Sequence, residues 1–161
     1  MNDRDLQHLR RAVELAETAL EAGDEPYGSV LVGADGTVLA EDHNRTSGGD
    51  QTRHPEFELA RWSANHVTPE ERAGATVYTS GEHCAMCSAA HGWVGLGRIV
   101  YATSAEQLAG WAAELGMPPA RVRRLAINEV VPDLPVEGPV PELAERVREL
   151  QRRFWARRRS Q

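Results

Sequence analysis

Two stripes of apolar residues predict helices near the two ends of the chain. In each stripe the apolar positions recur at steps of three and four, which keeps them on one face of an α-helix. The first predicts a helix over residues 4–22, and the second a last helix after the proline-rich connector Pro132–Pro141. The stripes consist of Leu6, Leu9, Val13, Ala16 and Leu20, and of Leu143, Val147, Leu150 and Phe154.

Short runs of branched apolar residues between these helices predict β-strands. Ser29–Val32 and Thr37–Glu41 flank an Asp-Gly step that is typical of a hairpin. From residue 55 onward, predicted helices alternate with strands, which favours parallel pairing with helices on the sheet faces. These helices cover 55–65, 84–93 and 104–115, and the strands cover Ala75–Thr79, Arg98–Thr103 and Arg124–Val131. We therefore expect an α/β fold with a mixed sheet, in one domain over residues 1–161.

Composition removes several classes of protein. No apolar run reaches the roughly 18–20 residues of a membrane span. The opening Met-Asn-Asp-Arg-Asp is too polar for a signal peptide, so we expect a cytoplasmic protein. All 18 basic residues are Arg. Without Lys, Schiff-base catalysis, lysine-anchored pyridoxal phosphate and a P-loop are excluded.

The net charge of −6 argues against a nucleic-acid partner, because such proteins usually present a basic face to phosphate. The C-terminal stretch Arg152–Arg159 is locally basic. We interpret it as a solvated helix end whose cations suit the negative end of the helix dipole. Phe154 falls on the apolar stripe, so we expect it in the core.

Two short segments carry the chemistry. His54-Pro55-Glu56 and Cys84-Ala85-Met86-Cys87 each lie at the predicted start of a helix. Cys84 and Cys87 are three residues apart, so both sulfurs can face one point, and the helix dipole favours their thiolates. Two thiolates and the His54 imidazole would leave one tetrahedral zinc position for water, which is typical of a catalytic site. Glu56 is close enough to move protons without binding the metal.

Other interpretations of these segments remain. A CxxC pair is also found in redox proteins, although that would leave His54 and Glu56 unexplained. A structural zinc module without catalysis would use the same ligands. The order HxE, strand, CxxC is nevertheless the signature of zinc nucleobase deaminases. It favours catalytic zinc.

With these motifs, the sequence resembles the cytidine deaminase-like superfamily, particularly its guanine deaminase and tRNA adenosine deaminase branches. The resemblance runs from the first helix to about Thr103, and Pro26–Val32 is similar to the family's first strand. It implies a three-layer α-β-α fold with a central mixed five-stranded sheet. It also implies His54, Cys84 and Cys87 as zinc ligands and Glu56 as proton shuttle. The relatives are mostly dimers, so a homodimer is expected.

The sequence departs from the family pattern beside the ligands. Pro55 stands where the family usually has Ala, which suits a helix start. His83 stands where Pro usually precedes the first Cys. It could be a rival ligand, an acid near the leaving group or a surface residue, and we favour the surface position.

The resemblance also suggests substrate contacts. Asn44 matches a residue that holds the base edge, and Tyr27 and Trp93 match aromatic positions that line the base pocket. An aromatic residue at position 93 resembles guanine deaminases, but their Asp pair is absent unless Glu114 substitutes for it. The expected activity is zinc-dependent deamination of a small free aminated heterocycle: a guanine-like purine, a cytosine-like pyrimidine or an s-triazine. A nucleoside substrate and editing of tRNA adenosine to inosine are the alternatives.

Overall fold

A computed structural model describes residues 1–160 as three layers around one sheet. The helices are α1 (Asp3–Glu21), α2 (Pro55–His66), α3 (Pro69–Gly74), α4 (Ala85–Val94), α5 (Ala105–Glu114), α6 (Ile127–Val130) and α7 (Pro141–Arg159), and a 3₁₀ turn covers Thr46–Gly48. The strands are β1 (Gly28–Val32), β2 (Val38–His43), β3 (Thr76–Gly81), β4 (Ile99–Thr103) and β5 (Val136–Glu137).

The sheet is mixed, as predicted. Its order is β2-β1-β3-β4-β5, and β1 pairs antiparallel with both β2 and β3. β3, β4 and β5 run parallel, so each is reached by a crossover connection. The expected α/β class and five-stranded sheet are confirmed.

Each face of the sheet has its own apolar core, because side chains alternate between faces along a strand. Val30 and Tyr78 face the core that α1, α5 and α7 cover. Leu31 and Val77 point the opposite way, against α2 and α4. Phe154 of α7 is buried in the first core, as the stripe of apolar residues predicts.

One predicted strand is wrong. Arg124–Val131 forms an irregular segment followed by the single helical turn α6, and the fifth strand is Val136–Glu137 within the proline-rich connector. Glu82 explains part of this difference, because its Oε1 accepts a hydrogen bond from the backbone N–H of Ile127 at 2.9 Å. That contact fixes the start of the turn and places the preceding residues over the end of the sheet.

Buried Asp5 ties the N-terminal helix to the sheet. Its carboxylate accepts hydrogen bonds from the Tyr78 hydroxyl at 2.7 Å and from the Arg98 guanidinium at 2.9 and 3.2 Å. It also accepts one from the backbone N–H of Asn2 at 2.7 Å, which completes a capping box at the start of α1. No helix within residues 1–160 is long and apolar enough to cross a membrane.

Candidate active site

The predicted metal ligands meet where two helices begin. His54 is the N-cap residue of α2, and Cys84 is the N-cap residue of α4. Cys87 follows one turn later, on the buried side of α4. Because both helix starts lie beside the end of β3, the chain brings residues 30 positions apart to one point.

The spacing of the three donor atoms fits a tetrahedral zinc ion. His54 Nδ1 lies 3.6 Å from each cysteine sulfur, and the two sulfurs are 3.5 Å apart. Zinc bonds of ~2.3 Å to sulfur and ~2.0 Å to nitrogen require separations of roughly 3.5–3.8 Å between tetrahedral ligands. These residues could therefore hold zinc with one position left for another ligand.

The two sulfurs differ in how readily they ionise, since the hydrogen bond with Cys84 and then burial raise the pKa of Cys87. The pKa of Cys84 falls to about 4, first through its hydrogen bond with Cys87 and then through that with His54. Such a thiolate is the form that binds zinc.

Glu56 lies directly beside this cluster. It is 6% exposed, and its Oε1 is 2.9 Å from the Thr79 hydroxyl and 3.2 Å from the Ser29 hydroxyl. Its Oε2 is 3.7 Å from Cys87 Sγ. Burial raises the pKa of Glu56. The two strand hydroxyls therefore fix one oxygen and leave the other facing the cluster, where it can accept or deliver a proton.

A cavity of about 350 Å³ opens onto the cluster. Its walls combine the ligand region with the irregular segment before α6. The lining residues include Glu25, Tyr27, His54, Glu56, Glu82, His83, Cys84, Met86, Leu108, Val122, Arg123, Arg124 and Leu125. The volume lies in the range of small-molecule sites.

Tyr27 reaches this cavity because a glycine lies opposite it. A Cβ atom on Gly81 would lie 2.8 Å from the Tyr27 ring, so a larger residue would push the ring away. Tyr27 thus lines the cavity beside the end of β3.

Asn44 is buried but lies outside the cavity lining. Its side-chain N–H donates to the backbone carbonyl of Glu25 and to the Thr46 hydroxyl, both at 3.2 Å. Its Oδ1 has no hydrogen-bond partner within residues 1–160. The described structure therefore gives Asn44 a role in holding the loop before β1.

Trp93 is not brought to the cavity. It is 90% exposed, two residues after the buried His91 on α4. Residues two apart on a helix point to nearly opposite sides, so burying His91 turns Trp93 outward. Within one chain, Trp93 therefore does not line the base pocket, which corrects the expectation from the sequence.

Glu114 is also remote from the site. It is an exposed residue that pairs with Arg148 at 2.9 Å. Trp111, three residues earlier on α5, is buried in the core. The part of α5 that lines the cavity is its first half, through Ala105 and Leu108. Glu114 therefore does not replace the missing Asp within the chain.

His83 corrects another expectation. It is 1% exposed, not a surface residue, and its ring packs edge-on against His91 with centroids 5.4 Å apart. Burial lowers the pKa of His83, which keeps the imidazole neutral. Neither ring nitrogen has a hydrogen-bond partner among the described residues.

Several residues of the site carried no recognisable signal. Ser29 and Thr79 sit in strands whose pattern is explained by the sheet alone, and their meeting at Glu56 depends on strand register, in which they are direct partners. Glu25 and Arg124 come from segments with no motif. Only the folded chain brings them together.

The fold and this site define an α/β protein with a His-Cys-Cys centre suited to zinc and a carboxylate poised beside it. The chain belongs to the cytidine and deoxycytidylate deaminase family, since the model of that family's zinc-binding region matches residues 2–103. The metal set predicted from the sequence agrees with this family and with the grouping of His54, Cys84 and Cys87.

Three relatives illustrate the breadth of the family. A probable cytosine deaminase of Schizosaccharomyces pombe is 33% identical over 67% of this chain and 65% of its own length. A tRNA-specific adenosine deaminase of Agrobacterium fabrum is 36% identical over 68% of this chain and 70% of its own. The solved guanine deaminase of Bacillus subtilis has a TM-score of 0.57 at 26% identity, covering 82% of this chain and 91% of that one. The chain thus aligns with about two thirds of the curated relatives, and they differ in substrate.

Proposed function

We propose that this protein is a zinc-dependent hydrolytic deaminase of a small free aminated heterocycle that releases ammonia. The substrate class comprises guanine-like purines, cytosine-like pyrimidines and s-triazines, with nucleosides as a further class. The observation that carries the proposal is the placement of Glu56. Its free oxygen faces the His54–Cys84–Cys87 cluster at the wall of a cavity sized for a small molecule.

The zinc centre is assigned to His54, Cys84 and Cys87. Zinc bound there would supply Lewis-acid activation of a water molecule. Glu56 acts as the proton carrier: it accepts the proton from the attacking water and delivers it to the departing nitrogen. Thr79 and Ser29 orient the carboxylate for both transfers through their contacts with Oε1.

The substrate ring would lie against Tyr27, whose aromatic face lines the cavity together with Leu108. Met86 and Val122 add further apolar surface. Such walls exclude water from the reacting atoms. We assign Asn44 an indirect part in binding, since it holds the carbonyl of Glu25 at the cavity wall.

The test is a panel of free bases and nucleosides offered to the fully zinc-loaded protein, with ammonia release as the readout. The proposal expects turnover of at least one free base. Zinc-loaded protein that releases no ammonia from any member would overturn it.

Editing of tRNA adenosine is the second candidate, because a relative with that activity is 36% identical. The structure offers little for it in the Arg-rich end of α7. Arg157 donates to the backbone of Leu20, Arg159 donates to the backbone of Leu115, and Arg152 pairs with Glu149. Binding to tRNA that weakens steeply with salt, together with inosine formation, would favour this candidate.

A catalytically inactive zinc module would share the ligands but would have no use for Glu56. The panel separates it from the enzyme, because such a module would bind zinc and release no ammonia. Cytoplasmic location, expected from the sequence, belongs to the same proposal.

We also propose a homodimer, the state that the family resemblance implies. The 90% exposure of Trp93 supports this proposal, because a large aromatic side chain is better accommodated in an interface than in water. Light scattering of the purified protein and of a Trp93→Arg variant tests it. A monomeric mass for the unchanged protein would contradict it.

A further inference from the structure

Glu25 is a carboxylate in the wall of the cavity that the proposed mechanism does not use. It lies between α1 and β1, and its backbone carbonyl accepts hydrogen bonds from Tyr27 N–H at 2.9 Å and from Asn44 Nδ2 at 3.2 Å. This turn directs its side chain to the cavity that His54 and Glu56 also line.

The surroundings of the Glu25 side chain suit a hydrogen-bond acceptor. Burial raises the pKa of its carboxyl group, and the nearby positive charge of Arg124 acts in the opposite direction. Tyr27 and Arg124 line the same cavity, so a phenol and a guanidinium group lie near this carboxyl group.

Glu25 is separate from the proton-carrying carboxylate. Glu56 makes its contacts with Ser29, Thr79 and Cys87, whereas Glu25 is grouped with Tyr27 and Arg124. A flat ring whose amine-bearing carbon lies at Glu56 would thus offer a different edge to Glu25.

A charged carboxylate accepts hydrogen bonds but donates none, so its partner must be an N–H or O–H group. Free purine and pyrimidine bases carry such an N–H at the ring nitrogen that becomes the glycosidic nitrogen in nucleosides. A nucleoside has lost this hydrogen, and it would leave a buried carboxylate without its partner. Sites built around a buried hydrogen bond discriminate strongly against analogues that lack it.

We propose that Glu25 accepts a hydrogen bond from a ring N–H of the substrate and thereby selects free bases over nucleosides. The inference rests on the proposed deaminase function and narrows its substrate class to unsubstituted aminated heterocycles that carry a ring N–H. Glu25 is then a specificity-determining residue.

The test compares the zinc-loaded protein with Glu25→Gln on matched pairs: cytosine and cytidine, guanine and guanosine, adenine and adenosine. The variant keeps the size of the side chain but removes its charge. We expect kcat/KM for the accepted free base to fall about 10- to 100-fold, with most of the change in KM. We expect the ratio of free base to nucleoside to fall with it.

Glu21→Gln is the matched control, because Glu21 is an exposed carboxylate at the end of α1, outside the cavity lining. Glu21→Gln should leave unchanged both kcat/KM for the free base and its ratio to kcat/KM for the nucleoside. Glu25→Asp, which keeps the charge on a shorter side chain, is the second variant should Glu25→Gln fail to fold. It should retain part of the preference for free bases.

Binding measured by calorimetry with uracil, xanthine and hypoxanthine, and with their nucleosides, gives a readout that is independent of turnover. Weaker binding of these free bases to Glu25→Gln supports the inference, even if no panel member is deaminated. Absence of deamination would contradict the proposed function and not the role of Glu25 in binding. Turnover by the unchanged protein with an unaltered free-base-to-nucleoside ratio in Glu25→Gln overturns the inference and leaves the deaminase function standing. A preference of the unchanged protein for nucleosides overturns the inference as well.

Discussion

Replacing Thr79 with Val tests whether strand hydroxyls orient the proton carrier. Thr79 is fully buried in β3, and its hydroxyl lies 2.9 Å from Glu56 Oε1. Val keeps the branched shape and removes this hydroxyl. Because Ser29 stays in place at 3.2 Å, the variant loses one of the two hydroxyl contacts that hold the carboxylate.

The size of the effect follows from the charge on Glu56. A hydrogen bond to a charged group contributes about 1.5–3 kcal/mol. The remaining Ser29 contact favours the lower half of this range, so we expect a loss of about 1.5–2 kcal/mol of transition-state stabilisation. That corresponds to a fall in kcat of roughly 10- to 30-fold. KM should change little, because Thr79 does not line the cavity.

The assay is steady-state ammonia release at full zinc loading. Thr103→Val is the matched control: Thr103 is equally buried in the neighbouring strand, and its hydroxyl donates to the backbone carbonyl of Ser80 at 2.8 Å, not to Glu56. It should keep its kcat even if its stability falls. Thr79→Ser restores a hydroxyl and should recover most of the rate. Equal kcat losses in Thr79→Val and Thr103→Val would show that the contact with Glu56 does not set kcat, as would an unchanged kcat in Thr79→Val.

Further predictions concern stability and metal binding. Asp5→Asn should lower the free energy of unfolding at pH 7 by about 2–3 kcal/mol in urea titrations, because it removes the buried partner of Arg98 and Tyr78. Arg98 first, and then Tyr78, hold the pKa of Asp5 below its unfolded value of about 3.9. The difference in unfolding free energy between the unchanged protein and Asp5→Asn should therefore be complete above the unfolded-state pKa of about 3.9. It should shrink as pH falls toward the folded-state pKa of Asp5. An equal difference at pH 7 and pH 2 would contradict this. Cys87→Ser should abolish stoichiometric zinc binding in elemental analysis, whereas His91→Asn should retain it, because His91 Nε2 donates to the backbone carbonyl of Gly97 and His91 is not part of the cluster. Zinc retained in Cys87→Ser would exclude the assigned ligand set.

The sequence predicted the parts of this molecule that depend on local pattern. The stripe from Leu6 to Leu20 and the apolar run Ser29–Val32 predicted a helix and a strand from local pattern alone, and both were found. The grouping of the metal ligands was also predictable from the sequence. His54 and Cys84 are each the N-cap residue of a helix, a position that local sequence indicates.

Features that depend on distant packing could not be predicted in this way. Residues 124–131 have the composition of a strand, but Glu82 accepts hydrogen bonds from Ile127 N–H in that segment and from Ala105 N–H of α5, and so holds the segment at the cavity instead. Trp93 has the right spacing from Cys84, but its direction is set by which side of α4 packs on the sheet. His83 sits in a polar sequence context and is nevertheless buried against His91.

The central claim is that the His54–Cys84–Cys87 centre is catalytic because of Glu56. The most direct measurement is zinc content and ammonia release, determined on the same preparations of the unchanged protein and of Glu56→Gln, with the free base that the panel identifies. We predict equal stoichiometric zinc in both and a fall in ammonia release of about 10²- to 10⁴-fold in the variant. Equal ammonia release from the two zinc-loaded proteins would contradict it.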